Sequence, residues 1–178
     1  MDRTSSLGDV NLGKVLSQGD LILHRSEWKR NGKSVVFVAG TFDLLHPGHV
    51  RLLEQARELG DMLVVGVASD AAVREMQAAA GALASNSVER PITPAAERME
   101  ILAALAAVDC VVEFDEPAPL KLLAQLDPEV MVEGAAGERG ARMLQSQPAI
   151  SGGKLRTIPL EPGYSTTELV KRIKQRHA

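Results

Sequence analysis

Two histidines carry the first chemical signal in this chain. They stand in His46-Pro47-Gly48-His49, after the apolar run 35–39 and the link Gly40-Thr41-Phe42-Asp43-Leu44-Leu45. The β-branched run reads as a buried strand. Pro47 fits the first position of a helix, and Val50, Leu53, Ala56 and Arg57 follow a helical period. The histidines therefore sit at a strand-to-helix turn. Unpaired N–H groups and the positive end of the helix dipole attract anions there. Gly48 has no side chain, so a phosphate can come close to the backbone. Two imidazoles aimed at one phosphate would stabilise the extra charge of a pentavalent phosphorus. Structural or metal-binding histidines are the competing reading. Zinc is disfavoured, because no third ligand lies nearby in sequence, and no metal site is expected.

A second signal lies near the end, in Ser165-Thr166-Thr167-Glu168. Serine followed three residues later by glutamate is a capping box, with Ser165 at N-cap and Glu168 at N3. The hydroxyls and free N–H groups at that helix start can hold a second phosphate.

The elements that position these residues alternate in type. Strands are expected at 35–39, 62–67, 110–114, 129–132 and 155–158. Helices are expected at 47–59, from Ser69 or Asp70 to 77, from Thr93-Pro94 to 107, at 119–126, at 142–147, and from Ser165 onward. Segment 78–87 reads as a mobile loop. Strands alternating with helices give an α/β, Rossmann-like, doubly wound parallel sheet of five strands. Residues 1–33 read as an N-terminal extension with a pair of short helices, in which Trp28 is a packing anchor. Residues 34–178 form the main domain.

Composition narrows the function. The chain has 178 residues, 45% of them hydrophobic, enough for one domain with a sizeable core. Its net charge of -3 and 3% aromatic content argue against a nucleic-acid surface. The single cysteine, Cys110, sits in an apolar run and reads as buried packing in a reducing compartment. No apolar run approaches a membrane span, and no signal-peptide pattern opens the chain. A soluble, cytoplasmic protein without a membrane partner is expected.

The stretch from Gly40 to His49 resembles the signature of the HxGH nucleotidyltransferases, the cytidylyltransferase-like superfamily. The glycine, Thr41-Phe42-Asp43 and both histidines fall at the family's spacing after a strand. Ser165-Thr166-Thr167 resembles that group's second nucleotide motif. A closer resemblance covers residues 14 to 174 and is to the adenylyltransferase domain of bacterial ADP-heptose synthases. It is carried by Lys14-Val15-Leu16-Ser17, Ala56-Arg57-Glu58-Leu59-Gly60-Asp61, Ser69-Asp70-Ala71, Arg90-Pro91-Ile92-Thr93-Pro94 and Glu97-Arg98-Met99.

The resemblance implies transfer of AMP from ATP, with Mg²⁺ on the triphosphate, to a sugar 1-phosphate, most closely a heptose 1-phosphate. The products are an ADP-sugar and pyrophosphate. It implies catalytic roles for His46, His49 and Arg98. It implies a nucleotide site of Gly40, Thr41, Phe42, His46, Gly48, His49, Arg98, Ser165 and Thr166. Asp43, Arg90, Glu133 and Gly134 would adjoin the acceptor. A homodimer is implied as well.

The chain departs from the family in two places. The family's lysine after the second strand is missing, since no lysine occurs between Lys33 and Lys121, so either Arg74 or Arg90 substitutes or the role is vacant. The family's Lys-Gly-Gly-Asp-Tyr-like run after the fourth strand is here Glu133-Gly134-Ala135-Ala136-Gly137. Two alternatives stay open. One is a cytidylyltransferase on glycerol 3-phosphate, although Glu161-Pro162-Gly163-Tyr164 lacks that group's Arg-x-x-Gly. The other is a catalytically impaired nucleotide-binding sensor. The glycines at 134, 137 and 140 lack the dinucleotide-fingerprint spacing, and Gly152-Gly153-Lys154 is no P-loop.

Overall fold

Valine-rich runs become the centre of a parallel sheet. A computed structural model describes residues 12–79, 88–135, 153–159 and 161–176. Its strands are β1 (Val15–Leu16), β2 (Val35–Gly40), β3 (Met62–Ala68), β4 (Cys110–Phe114), β5 (Val130–Ala135) and β6 (Lys154–Pro159). They lie in the order β1-β4-β3-β2-β5-β6, all parallel. The helices are α1 (Gln18–Arg30), α2 (Pro47–Arg57), α3 (Asp70–Ala79), α4 (Ala95–Ala103), α5 (Leu120–Leu126) and α6 (Thr166–Arg176).

Alternation along the strands divides the core between two faces. Val35, Phe37, Val64, Val112 and Met131 point to the side of α1, α3 and α5, where Leu21, Trp28, Val73, Leu122 and Leu126 meet them. Val36, Val38, Leu63, Val65 and Val132 point the other way, to Leu52, Leu53 and Ala56 of α2 and Leu102 of α4. Each such side chain contributes about 2 kcal/mol when removed from water.

The chain winds outward from β2 in both directions, to β3 and β4 on one side and to β5 and β6 on the other. Pairing between β2 and β5 ends at Val38↔Val132. Each strand keeps its other neighbour further along, β2 to Gly40↔Val67 and β5 to Ala135↔Pro159. The sheet therefore splits at the C-terminal ends of its two central strands. That is the crevice where open α/β sheets take their ligands.

Two expectations need correcting. The sheet has six strands among the described residues, not five. The extra one, β1, extends the edge through Val15↔Val111 and Leu16↔Val112. Two residues are too few to show a period in sequence. The expected pair of short N-terminal helices is a 3₁₀ turn (Leu12–Lys14), this strand, and one helix of 13 residues capped by Ser17. That helix is tied down by Arg25. Its Nε donates to the Leu126 carbonyl at 2.8 Å, and one Nη2 serves both the Asp127 carbonyl and Glu129 at 2.8 and 2.7 Å. Glu129 in turn accepts the Val35 N–H at 2.6 Å, so α1, β2 and β5 share one carboxylate. The helix expected at 142–147, and residues 80–87 of the expected loop, lie outside the described residues.

Candidate active site

The link between β2 and α2 builds the floor of the site. Phe42 adopts a left-handed backbone, φ 50°, costly for a bulky residue. The strain is held by packing: Phe42 is buried, and its ring lies over Gly40, where a Cβ would come within 2.9 Å of it. Gly40 is thus needed to seat Phe42. The Phe42 ring then supports His49 at a centroid distance of 5.4 Å.

His46 is the N-cap of α2 with an extended backbone, and Pro47 takes N1. No side chain caps this helix; the His49 and Val50 N–H groups donate to the His46 carbonyl at 2.9 and 3.4 Å, and the Gly48 N–H is left to an outside acceptor. The imidazoles of His46 and His49 stack at 3.7 Å, with their planes 15° apart. Both Nδ1 atoms are buried without a hydrogen-bond partner among the described residues. Burial holds the His46 pKa below its ordinary value. Burial, and next the neighbouring His46, push His49 down to about 4. Both rings are neutral at pH 7, and two like charges this close would repel. The arrangement is a pair of donors and acceptors prepared for an anion.

Gly48 has a further task beside the one read in sequence. A Cβ there would lie 3.1 Å from His46 Nδ1 and 3.3 Å from Tyr164 Cβ. The space over Gly48 is filled by these two side chains, so the glycine admits rings and not a phosphate on that side. Tyr164 stacks on His46 at 6.4 Å and lies under Arg51, which also pairs with Glu161 at 2.8 Å. This anchors the turn into α6 beside the histidines. Ser165 Oγ accepts the Glu168 N–H at 3.1 Å, as the capping box predicts. Glu168 turns outward to Lys171 and does not complete the reciprocal half.

A cleft of about 410 Å³ lies between the β2–α2 link and the start of α6; His49 lines it, while His46, Gly48 and Ser165 do not. Thr41, Phe42, Asp43, His49, Arg90 and Thr166 line it, together with Gln77 and Thr167. Asp43 sits in the lining with both carboxylate oxygens already used. Oδ1 accepts the N–H groups of Ile92 and Thr93 at 2.8 and 2.9 Å, and Oδ2 pairs with Arg90 at 2.7 Å. Of the two arginines weighed as substitutes for the family lysine, Arg90 reaches the cleft, and Arg74 is exposed on α3.

Arg98 is a correction. Expected to face a triphosphate, it is fully buried beneath the cleft, with 0% exposure. Its Nε donates to the Thr93 carbonyl, Nη1 to the carbonyls of Thr41 and Ala68, and Nη2 to Asp70 at 2.6 Å. Four of its five N–H groups are engaged. It positions the Thr41 loop and the turn before α4. Asp70 also accepts the Ala95 N–H at 2.9 Å, so α4 starts one residue later than expected, with Pro94 as its cap position.

Glu133 and Gly134 stand past the split between β2 and β5, and neither lines the cleft that His49 lines; Glu133 lines a separate cavity that includes Thr41. Sequence reasoning missed Tyr164 and Gln77, and it named Thr167 in the second motif without giving it a place in the site. The rarity of tyrosine here, immediately before Ser165, was an available signal for the first. Gln77 carries no local signal, because its place comes from the packing of α3.

Residues 37–172 match the family model described as cytidylyltransferase-like. The chain belongs to the cytidylyltransferase-like family. Bifunctional protein HldE of Koribacter versatilis (strain Ellin345) is 43% identical over 167 residues, which is 92% of this chain and 32% of that protein. Bifunctional protein HldE of Geotalea uraniireducens (strain Rf4) is 44% identical over 150 residues, 82% of this chain and 28% of that one. The chain thus spans about a third of the length of the curated relatives it matches. Among solved structures, a lipopolysaccharide core biosynthesis protein from Thermoplasma volcanium GSS1 superposes with a TM-score of 0.56 at 26% identity, covering 73% of this chain and 98% of that one. A pantoate-beta-alanine ligase from Francisella tularensis shares the fold, with a TM-score of 0.56 at 14% identity over 92% of this chain and 78% of that one. No described helix is long and apolar enough to cross a membrane.

Proposed function

We propose that this domain transfers AMP from ATP to a sugar 1-phosphate, heptose 1-phosphate being the acceptor favoured by the sequence resemblance. The observation that carries the reading is the stacked His46–His49 pair at an uncapped helix start, with two orphaned Nδ1 atoms beside a cleft. An acceptor phosphate oxygen attacks the α-phosphorus in line. The bond from that phosphorus to the bridging oxygen breaks, and pyrophosphate leaves with the electron pair. No covalent enzyme intermediate is needed.

His46, His49 and the Gly48 N–H at the start of α2 stabilise the charge that grows on the α-phosphate. Thr41 and the backbone near Phe42 hold the nucleotide against β2. Ser165 accepts a backbone N–H through Oγ and keeps its own hydrogen to donate, so Ser165, Thr166 and the α6 N-terminus suit the β- and γ-phosphates. Arg90 borders the acceptor side, and Arg98 holds the loop from below. Among the described residues no three side chains form a metal cage, and both Asp43 oxygens are taken. Mg²⁺ would accompany the triphosphate and neutralise part of its charge.

The test is incubation with ATP, Mg²⁺ and heptose 1-phosphate, following pyrophosphate release, beside a panel of CTP and glycerol 3-phosphate. Pyrophosphate from the ATP pair supports the reading. Product from CTP alone would move the domain to a cytidylyltransferase. Bound nucleotide with no product on any acceptor would make it a sensor.

A further inference from the structure

The strand ends enclose a second chamber of about 190 Å³ beside the phosphate cleft. Phe37, Met76, Phe114, Pro117, Leu123 and Met131 make its walls largely carbon. Thr41 and Met76 line both cavities, so chamber and cleft share a wall. Within that lining Glu133 is the one ionisable side chain among the described residues. The topology sends it there. It is the first residue of β5 beyond the last pair with β2, and strand alternation puts it on the same face as Met131.

Glu133 Oε2 is buried and has no hydrogen-bond partner among the described residues. Burial pushes its carboxyl above the usual range. A spare acceptor in an apolar wall works against the fold, and groups so placed cluster at functional sites. Among the described residues no lysine or arginine lines the chamber. What complements Oε2 is an O–H or N–H donor.

We infer that Glu133 selects the acceptor: its Oε2 accepts a hydrogen bond from a hydroxyl or ammonium on the acceptor's body, and its carboxyl rejects a second anionic group at that end. The inference rests on reading the adjoining cleft as the phosphate site. The acceptor then spans both cavities, with its phosphate near His49 and its hydroxylated or aminated body in the chamber.

Calorimetric titration with Mg²⁺ and a non-hydrolysable ATP analogue present tests it. The probes are heptose 1-phosphate, the same sugar with a second phosphate at carbon 7, and glucosamine 1-phosphate. Wild type binds one of the monophosphates and discriminates against the bisphosphate. A preference for glucosamine 1-phosphate identifies the ammonium as donor, and a preference for the heptose identifies the hydroxyl. Glu133→Ala weakens the bound monophosphate about tenfold or more, and Glu133→Gln by less, with ATP affinity unchanged. Glu133→Lys reverses the discrimination against the bisphosphate. Without acceptor, Glu133→Leu raises the unfolding midpoint by about a degree or more, because an orphaned buried oxygen is gone. A fall in that midpoint would mark Glu133 as structural and overturn the inference. So would unchanged affinity in Glu133→Ala, or a wild type that binds none of the three sugars. Binding without pyrophosphate release when ATP replaces the analogue would overturn the transferase reading and leave the chamber assignment standing.

Discussion

Acidification from pH 7 to pH 5 should weaken this fold through His49. Its pKa is about 4 in the folded chain, against an ordinary 6.5. Below pH 6.5 the unfolded chain takes up a proton that the folded chain refuses. The unfolded state then binds more protons, and stability falls as pH falls. The loss begins near the unfolded value and levels off near the folded one. At pH 5 the two pKa values give about 2 kcal/mol, from the ratio of the two binding polynomials. Solvent reaching the ring screens part of this, so about 1 kcal/mol is the lower bound. Urea unfolding of wild type and His49→Gln at both pH values isolates the contribution. Wild type should lose about 1–2 kcal/mol more than the variant. Equal losses in the two proteins would refute the burial argument.

Three further outcomes follow from the geometry. Arg98→Ala strips partners from the Thr41, Ala68 and Thr93 carbonyls and from Asp70, and should cost about 3 kcal/mol or more in urea unfolding, with Arg98→Lys recovering less than half. A cost below about 1 kcal/mol would contradict its positioning role. Gly48→Ala pushes a methyl against His46 and Tyr164 and should lower kcat about tenfold or more while the unfolding midpoint moves little. Cys110, whose thiol burial raises to about 11, should resist a thiol reagent at pH 8 until the chain is unfolded in guanidinium.

The parts of this site that were legible in sequence are those whose role is written locally. His46-Pro47-Gly48-His49 announces a helix start, and Ser165 announces its own cap; both stand where expected. Valine-rich runs announce the central strands, because burial on both faces demands continuous apolar residues. What stayed hidden depends on distant partners. Arg98 looked like a phosphate ligand, since no local pattern reveals that carbonyls from Thr41, Ala68 and Thr93 converge on it. The second task of Gly48, making room for His46 and Tyr164, stayed hidden because the arrival of Tyr164 from the far end of the chain has no local trace. β1 was missed for want of length, since its two residues are held by β4 alone.

The outer strand of the sheet has a consequence for handling the protein. Among the described residues β6 pairs only with β5, so its other side presents unpaired backbone. An unguarded parallel edge recruits strands from other molecules and seeds aggregation. Lys154 and Arg156 are exposed along this edge, and Pro159 ends it without an N–H to offer. Repulsion between like charges and a missing donor keep copies from stacking edge to edge. Replacing both cations by threonine should leave the site intact and shorten the time the protein stays clear in concentrated solution.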